Sequence, residues 1–211
     1  MTGDHPDRRP PAARRPGGAA PGITGDCGWA LYDSWLAGRG LRIVPPQRAI
    51  DPALISPRLS RGHLLEQKAD GSFLWRSMGA GLAALFGRDL TGRTFDPAAS
   101  PRHDWRFLAI YTTVGNQPCG VVLRCLARTA RGRVTRIETL ALPLLDDAGC
   151  ANRVLAHSEV LDLGPREFQR FGPLTELKIA GFDFFDIGAG TPPGAAFWQP
   201  GVRTTELVSR K

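Results

Sequence analysis

The chain has 211 residues, 42% of them apolar, enough for one packed core of ordinary size plus appendages. Its net charge of +7 rests on Arg far more than Lys, alongside much Ala, Pro and Gly, a composition that a GC-rich genome produces and that names no partner. No run of about 18 apolar residues occurs, which excludes a helical membrane span, and the charged N-terminus lacks the apolar stretch of a secretory signal, so a cytoplasmic location is expected.

Residues 1–26 are Pro, Gly, Ala and Arg with almost nothing to bury, and read as a disordered tail. Trp29, Leu31, Tyr32, Trp35 and Leu36 then fall on one helical face, and Gly38 and Gly40 end that helix. Asp51 followed by Pro52 signals the start of a short helix. Next come two short runs around Asp70-Gly71, a hairpin signal. In the second run Phe73 and Trp75 share one face and Arg76 takes the other. Residues 79–86 read as a short helix with Leu82, Leu85 and Phe86 as its stripe, and Gly87 suits its end. Residues 101–114 read as a longer helix carrying Phe107, Ile110, Tyr111 and Val114. Three strands follow, over 121–129, over 134–145 with an interruption at Pro143, and over 153–161. Two hairpin blocks separated by helices predict an α+β domain with an antiparallel sheet.

Four ordered stretches carry a family resemblance: the Trp-containing helix with PPQRAIDPALI, then DGSFLWRSMGAGLAALFGRDLTGRTF, then the long helix, then ETLALPLLDDAGCANRVL. From about Trp29 to Leu161 the chain resembles the fifth subfamily of bacterial PAS-like domains. Ser77 stands where a Leu is usual, Ala80 replaces a Thr, and Ala148 sits between Asp147 and Gly149. The resemblance implies a PAS fold, a five-stranded antiparallel sheet with helices on one face, plus a flanking N-terminal helix. It places the PAS-like domain at 27–164 and leaves 165–211 as an extension. There Phe182, Phe184, Phe185, Phe197 and Trp198 are too apolar for a free tail and should dock.

The function expected is a stand-alone sensory and protein-interaction module in bacterial signalling, with a small apolar ligand as one means of gating it. Phe73, Trp75, Phe86, Tyr111, Leu123 and Leu142 are the candidate pocket. Trp29, Trp35 and Leu36 are the candidate surface for a signalling partner or self-association, or else pack on the sheet. A second reading is a nucleic-acid or membrane-surface binder using the hairpin arginines Arg124, Arg128, Arg131, Arg133 and Arg136. A third, an enzyme, finds no catalytic constellation: no phosphate-binding loop, dinucleotide fingerprint or nucleophile elbow is present. Asp146 and Asp147 read as a turn, and Glu138 as a cross-strand partner of Arg124 or Arg136. Cys27, Cys119, Cys125 and Cys150 and the four His residues are dispersed, so no metal is expected. Haem would need His103, whose neighbours Arg102 and Asp104 suggest a solvated turn, and flavin photochemistry would need a Cys that the 79–86 helix lacks. No cofactor is therefore expected.

Overall fold

A computed structural model describes residues 22–50, 60–95, 104 and 106–192. The short helix expected after Asp51, His103 and the start of the long helix, Phe197 and Trp198, and residues 1–21 lie outside the described residues.

Helix α1 spans Asp26–Arg39. The hairpin around Asp70-Gly71 joins β1 (Gly62–Gln67) to β2 (Phe73–Met78). Its turn closes because the Asp70 carboxylate accepts from the Ser72 amide at 2.9 Å and the Ser72 hydroxyl at 2.7 Å, the side-chain turn that makes Asp a frequent turn residue. Helix α2 (Ala80–Phe86) stops at Gly87, whose φ of 70° only glycine adopts freely and whose N–H returns to the Ala83 and Ala84 carbonyls. A two-residue β3 (Thr94–Phe95) follows, then α3 (Arg106–Asn116). Strands β4 (Gly120–Thr129), β5 (Val134–Leu144) and β6 (Arg153–Val160) form a meander. Asp146 builds the β5–β6 turn by accepting from the amides of Ala148 and Cys150 and from Asn152. The chain ends its described course with α4 (Pro165–Phe171) and β7 (Leu174–Phe185).

Among the described residues the sheet has seven strands, all antiparallel, in the order β3-β2-β1-β6-β5-β4-β7. This corrects the expectation of five. The two additional strands are the edges. At two residues β3 is too short to show a period, and β7 was hidden by its composition, LTELKIAGFDFF, in which charges and Gly181 break the alternation. Bulges at Arg124/Cys125 and Arg128/Thr129 take up that irregularity where β7 pairs along the whole of β4. Strand β5 runs through Pro143, which sits opposite Val154, so the expected interruption is absent. The Pro143 carbonyl is occupied by the Trp35 indole N–H, which donates to it at 2.8 Å.

Both faces of the sheet are covered. On one, α2, α3 and α4 bury Leu65, Phe73, Leu82, Ile110, Val114 and Leu123. On the other, α1 lays Leu31, Tyr32 and Trp35 over Val122, Leu140, Leu142 and Phe185. The later helices thus share one face, and the flanking N-terminal helix covers the other. In β5 the alternation splits cleanly: Ile137 and Ala141 face α3, while Leu140, Leu142 and Leu144 face α1.

Candidate functional site

A cavity of about 500 Å³ opens between the sheet and the α2–α3 layer. Its walls come from separate elements because each strand turns every second residue toward the helices. Trp75 of β2, 5% exposed, is the centre of an aromatic cluster. Its ring lies edge-on to Phe86 at 6.3 Å and to Phe95 at 5.9 Å, and tilts over His63 at 5.2 Å, geometries that suit aromatic quadrupoles. Phe107 and Tyr111 of α3 form the opposite wall, 6.2 Å apart. Leu177 of β7 adds an aliphatic side, and Arg88 and Arg93 stand exposed at the rim.

The buried polar side chains His63, Thr139 and Ser158 interrupt this apolar lining, and Thr94 lies exposed at its edge. The hydroxyls of Thr139 and Ser158 bond each other at 2.8 Å across β5 and β6. His63 Nδ1 is buried and has no hydrogen-bond partner. Burial pushes His63 down to about 3, His157 adds to the shift, and a hydrogen bond to the Arg61 backbone works the other way, so the ring is neutral at neutral pH. Burial likewise raises the Tyr111 phenol, which stays protonated. An apolar enclosure holding a few fixed polar groups is the general form of a small-molecule site.

Of the residues expected to line a pocket, Trp75, Phe86 and Tyr111 do so. Phe73, edge-on to Tyr111 at 6.2 Å, and Leu123 belong to the same core but not to the lining. Leu142 is a correction: it faces α1 on the far side of the sheet. Because β5 is buried on both faces, its residues read as one apolar run and parity with the cavity is not visible in them. His63, Thr139 and Ser158 were missed. A signal existed, since Ser158 shares its strand face with Val154 and Ala156, and a hydroxyl on an inward face needs a partner.

Trp29, Trp35 and Leu36 all pack on the α1 face of the sheet, Trp35 with no exposure and the other two partly buried. Trp35 is therefore not a surface for a partner. Glu138 is also placed differently from the expected surface pair. It is 4% exposed and accepts from the Thr24 amide at 2.8 Å, the Thr24 hydroxyl at 2.7 Å and the Gly25 amide at 3.2 Å. Gly25, at the α1 N-cap, has no side chain to cap the helix, and the sheet supplies the carboxylate instead.

The hairpin arginines are engaged by groups remote in sequence. Arg124 pairs with Asp183 at 2.5 Å, Arg128 with Glu176 at 3.4 Å and Arg136 with Asp162 at 3.2 Å. Arg131 donates to the Arg170 carbonyl at 2.7 Å, and Arg133 lies over the Phe171 ring at 6.0 Å. Such exposed pairs contribute little stability; three of the five arginines are charge-paired, while Arg131 and Arg133 meet neutral groups and keep their charge.

Among the described residues no helix is long and apolar enough to cross a membrane. A family model described as a PAS domain matches residues 25–157, well over half of the chain. The match begins at the α1 N-cap and ends inside β6, before α4 and β7. No curated protein and no solved structure matches the chain.

Proposed function

Because the chain belongs to the PAS domain family, whose members are generally sensory and non-catalytic, we propose that it is a bacterial cytoplasmic signalling module that senses a small, mostly apolar ligand and acts through protein contacts. The observation that carries this reading is the 500 Å³ cavity at the sheet–helix interface, with the unpartnered His63 Nδ1 in its wall. A ligand with an apolar body and one polar group would fill the Trp75, Phe95 and Tyr111 side and supply the hydrogen bond that His63 Nδ1 lacks.

Transmission to a partner has a candidate surface. By register, Leu126 and Val134 lie on the α1 face, since Arg124 is opposite Glu138 and Arg128 is opposite Val134. They are 49% and 46% exposed, where α1 leaves the hairpin uncovered. Strands β4 and β5 thus present one face toward the cavity layer and the other toward this patch.

Native mass spectrometry of the full chain purified from its own host tests the proposal. The expected result is a small noncovalent adduct at one per chain, released on denaturation and weakened at least about tenfold by His63→Leu, the loss of one buried hydrogen bond. A folded protein with no adduct, or an adduct indifferent to both His63→Leu and Trp75→Leu, would contradict it.

A further inference from the structure

We infer that the sheet face beneath α1 carries a site for a divalent cation of the zinc class, held by Cys27, His157 and Glu159. This site lies on the opposite side of the sheet from the cavity and does not depend on the sensory reading. The Cys27 sulfur, a ring nitrogen of His157 and a carboxylate oxygen of Glu159 all lie within 4.8 Å of one another. Thiolate, imidazole and carboxylate are the donors zinc takes, at about 2.0–2.3 Å, so side-chain movements of about 1 Å would close them on an ion. Three protein donors leave one position of a tetrahedral ion to water.

The dispersal of Cys and His along the sequence predicted no metal site, and the fold assembles one despite it. His157 and Glu159 are two residues apart on β6 and share a face. Cys27 arrives from the first turn of α1, which the Glu138 contacts to Thr24 and Gly25 hold against that face.

Two buried atoms here lack a hydrogen-bond partner, while the Glu159 carboxylate also accepts from the Cys27 backbone. His157 is 4% exposed with Nδ1 unpartnered, and Glu159 Oε2 is also buried without a hydrogen-bond partner. The charge pattern agrees. Glu159 stands directly opposite Glu138 in the β5–β6 ladder, and like charges so placed repel. Asp26 adds to the negative charge, and Arg61 is the cation that acts on both Glu159 and His157. A divalent ion would take one ring nitrogen of His157 and one oxygen of Glu159 and balance the paired glutamates. It would also tie α1 to β6, so that metal affinity becomes stability of this face.

The test is titration of the reduced, metal-stripped full chain with Co²⁺, followed by displacement with Zn²⁺. One equivalent should bind with a thiolate-to-cobalt charge-transfer band, and Zn²⁺ should raise the melting temperature of the wild type. Cys27→Ser should abolish the band, and His157→Ala should weaken binding at least tenfold. Cys150→Ser, which removes the exposed thiol of the β5–β6 turn, should change neither. The wild-type titration reads the site even where a variant fails to fold. Absence of stoichiometric binding by folded wild type would overturn the inference. So would a band that survives Cys27→Ser or one that disappears in Cys150→Ser.

Discussion

Two tryptophans show how one residue type reaches opposite sides of the same sheet. Trp75 alternates with Phe73 away from Arg76, and that parity, readable from the strand, puts it under α2 and α3. Trp35 sits under α1, where its indole N–H meets the Pro143 carbonyl. Trp35→Ala should cost about 3–5 kcal/mol in urea unfolding, whereas Trp35→Phe should cost about 1–2, mainly the hydrogen bond and a little volume. Equal losses for the two would mean that the indole–carbonyl bond contributes nothing. His63 gives a pH dependence. Its ring is near 6.5 when unfolded and about 3 when folded, so the unfolded chain takes up the proton first. Stability from its neutral burial is complete above about pH 6.5 and is lost as pH falls toward 3. In metal-free buffer the urea midpoint should drop between pH 6.5 and 4.5, with His157, which burial lowers to about 4, contributing beside it, and His63→Gln should reduce that drop. An unchanged slope in the variant would show that His63 is not held neutral. Nothing in the local sequence marks this histidine; its significance comes from Trp75 beside it and from the strands that enclose it.

At the scale of elements, α1 is anchored by a residue far along the chain. Glu138 satisfies the amides of Thr24 and Gly25, and the Glu159 carboxylate packs directly on Gly25, so a side chain there would displace it. Glu138→Ala should cost about 2–3 kcal/mol, since it removes charge-assisted bonds and leaves buried N–H groups unpaired. A loss below about 0.5 kcal/mol in chemical denaturation would refute this account of the helix start. Ile23 is buried with α1, so these contacts begin before the boundary expected at residue 26. A chain starting at residue 22 should keep the melting temperature of the full chain, and one starting at residue 27 should melt lower. Equal melting of the two would show that the 22–26 contacts are dispensable. Sequence periodicity found α1, β2 and α2, and the Asp70-Gly71 turn signal found β1, which is buried on both faces. It missed β7, whose bulges and charges hide its period, and it could not see that Asp183, Glu176 and Asp162 would pair with Arg124, Arg128 and Arg136. Such pairings are set by strand order, which local patterns do not contain.

For the whole molecule, the order of hairpin, helices and meander was legible and gave the sheet its central strands β2-β1-β6-β5-β4. The edges were not, and neither was the face to which each β5 residue belongs, because β5 is apolar on both sides and Leu142 could be assigned to either. The cavity was half legible: Trp75, Phe86 and Tyr111 lie in strong local patterns, while His63, Thr139 and Ser158 are single polar residues from three strands that meet only in the folded sheet. The central claim is that this cavity is a ligand site. Its most direct test is a pair of amide and side-chain NMR spectra of the full chain, as isolated from its host and after unfolding, removal of small molecules and refolding. The expected result is shift differences concentrated at His63, Trp75, Phe95, Tyr111 and Ser158, reversed by adding back the small-molecule fraction. Identical spectra, or differences confined to α1 and the strand face beneath it, would contradict the claim.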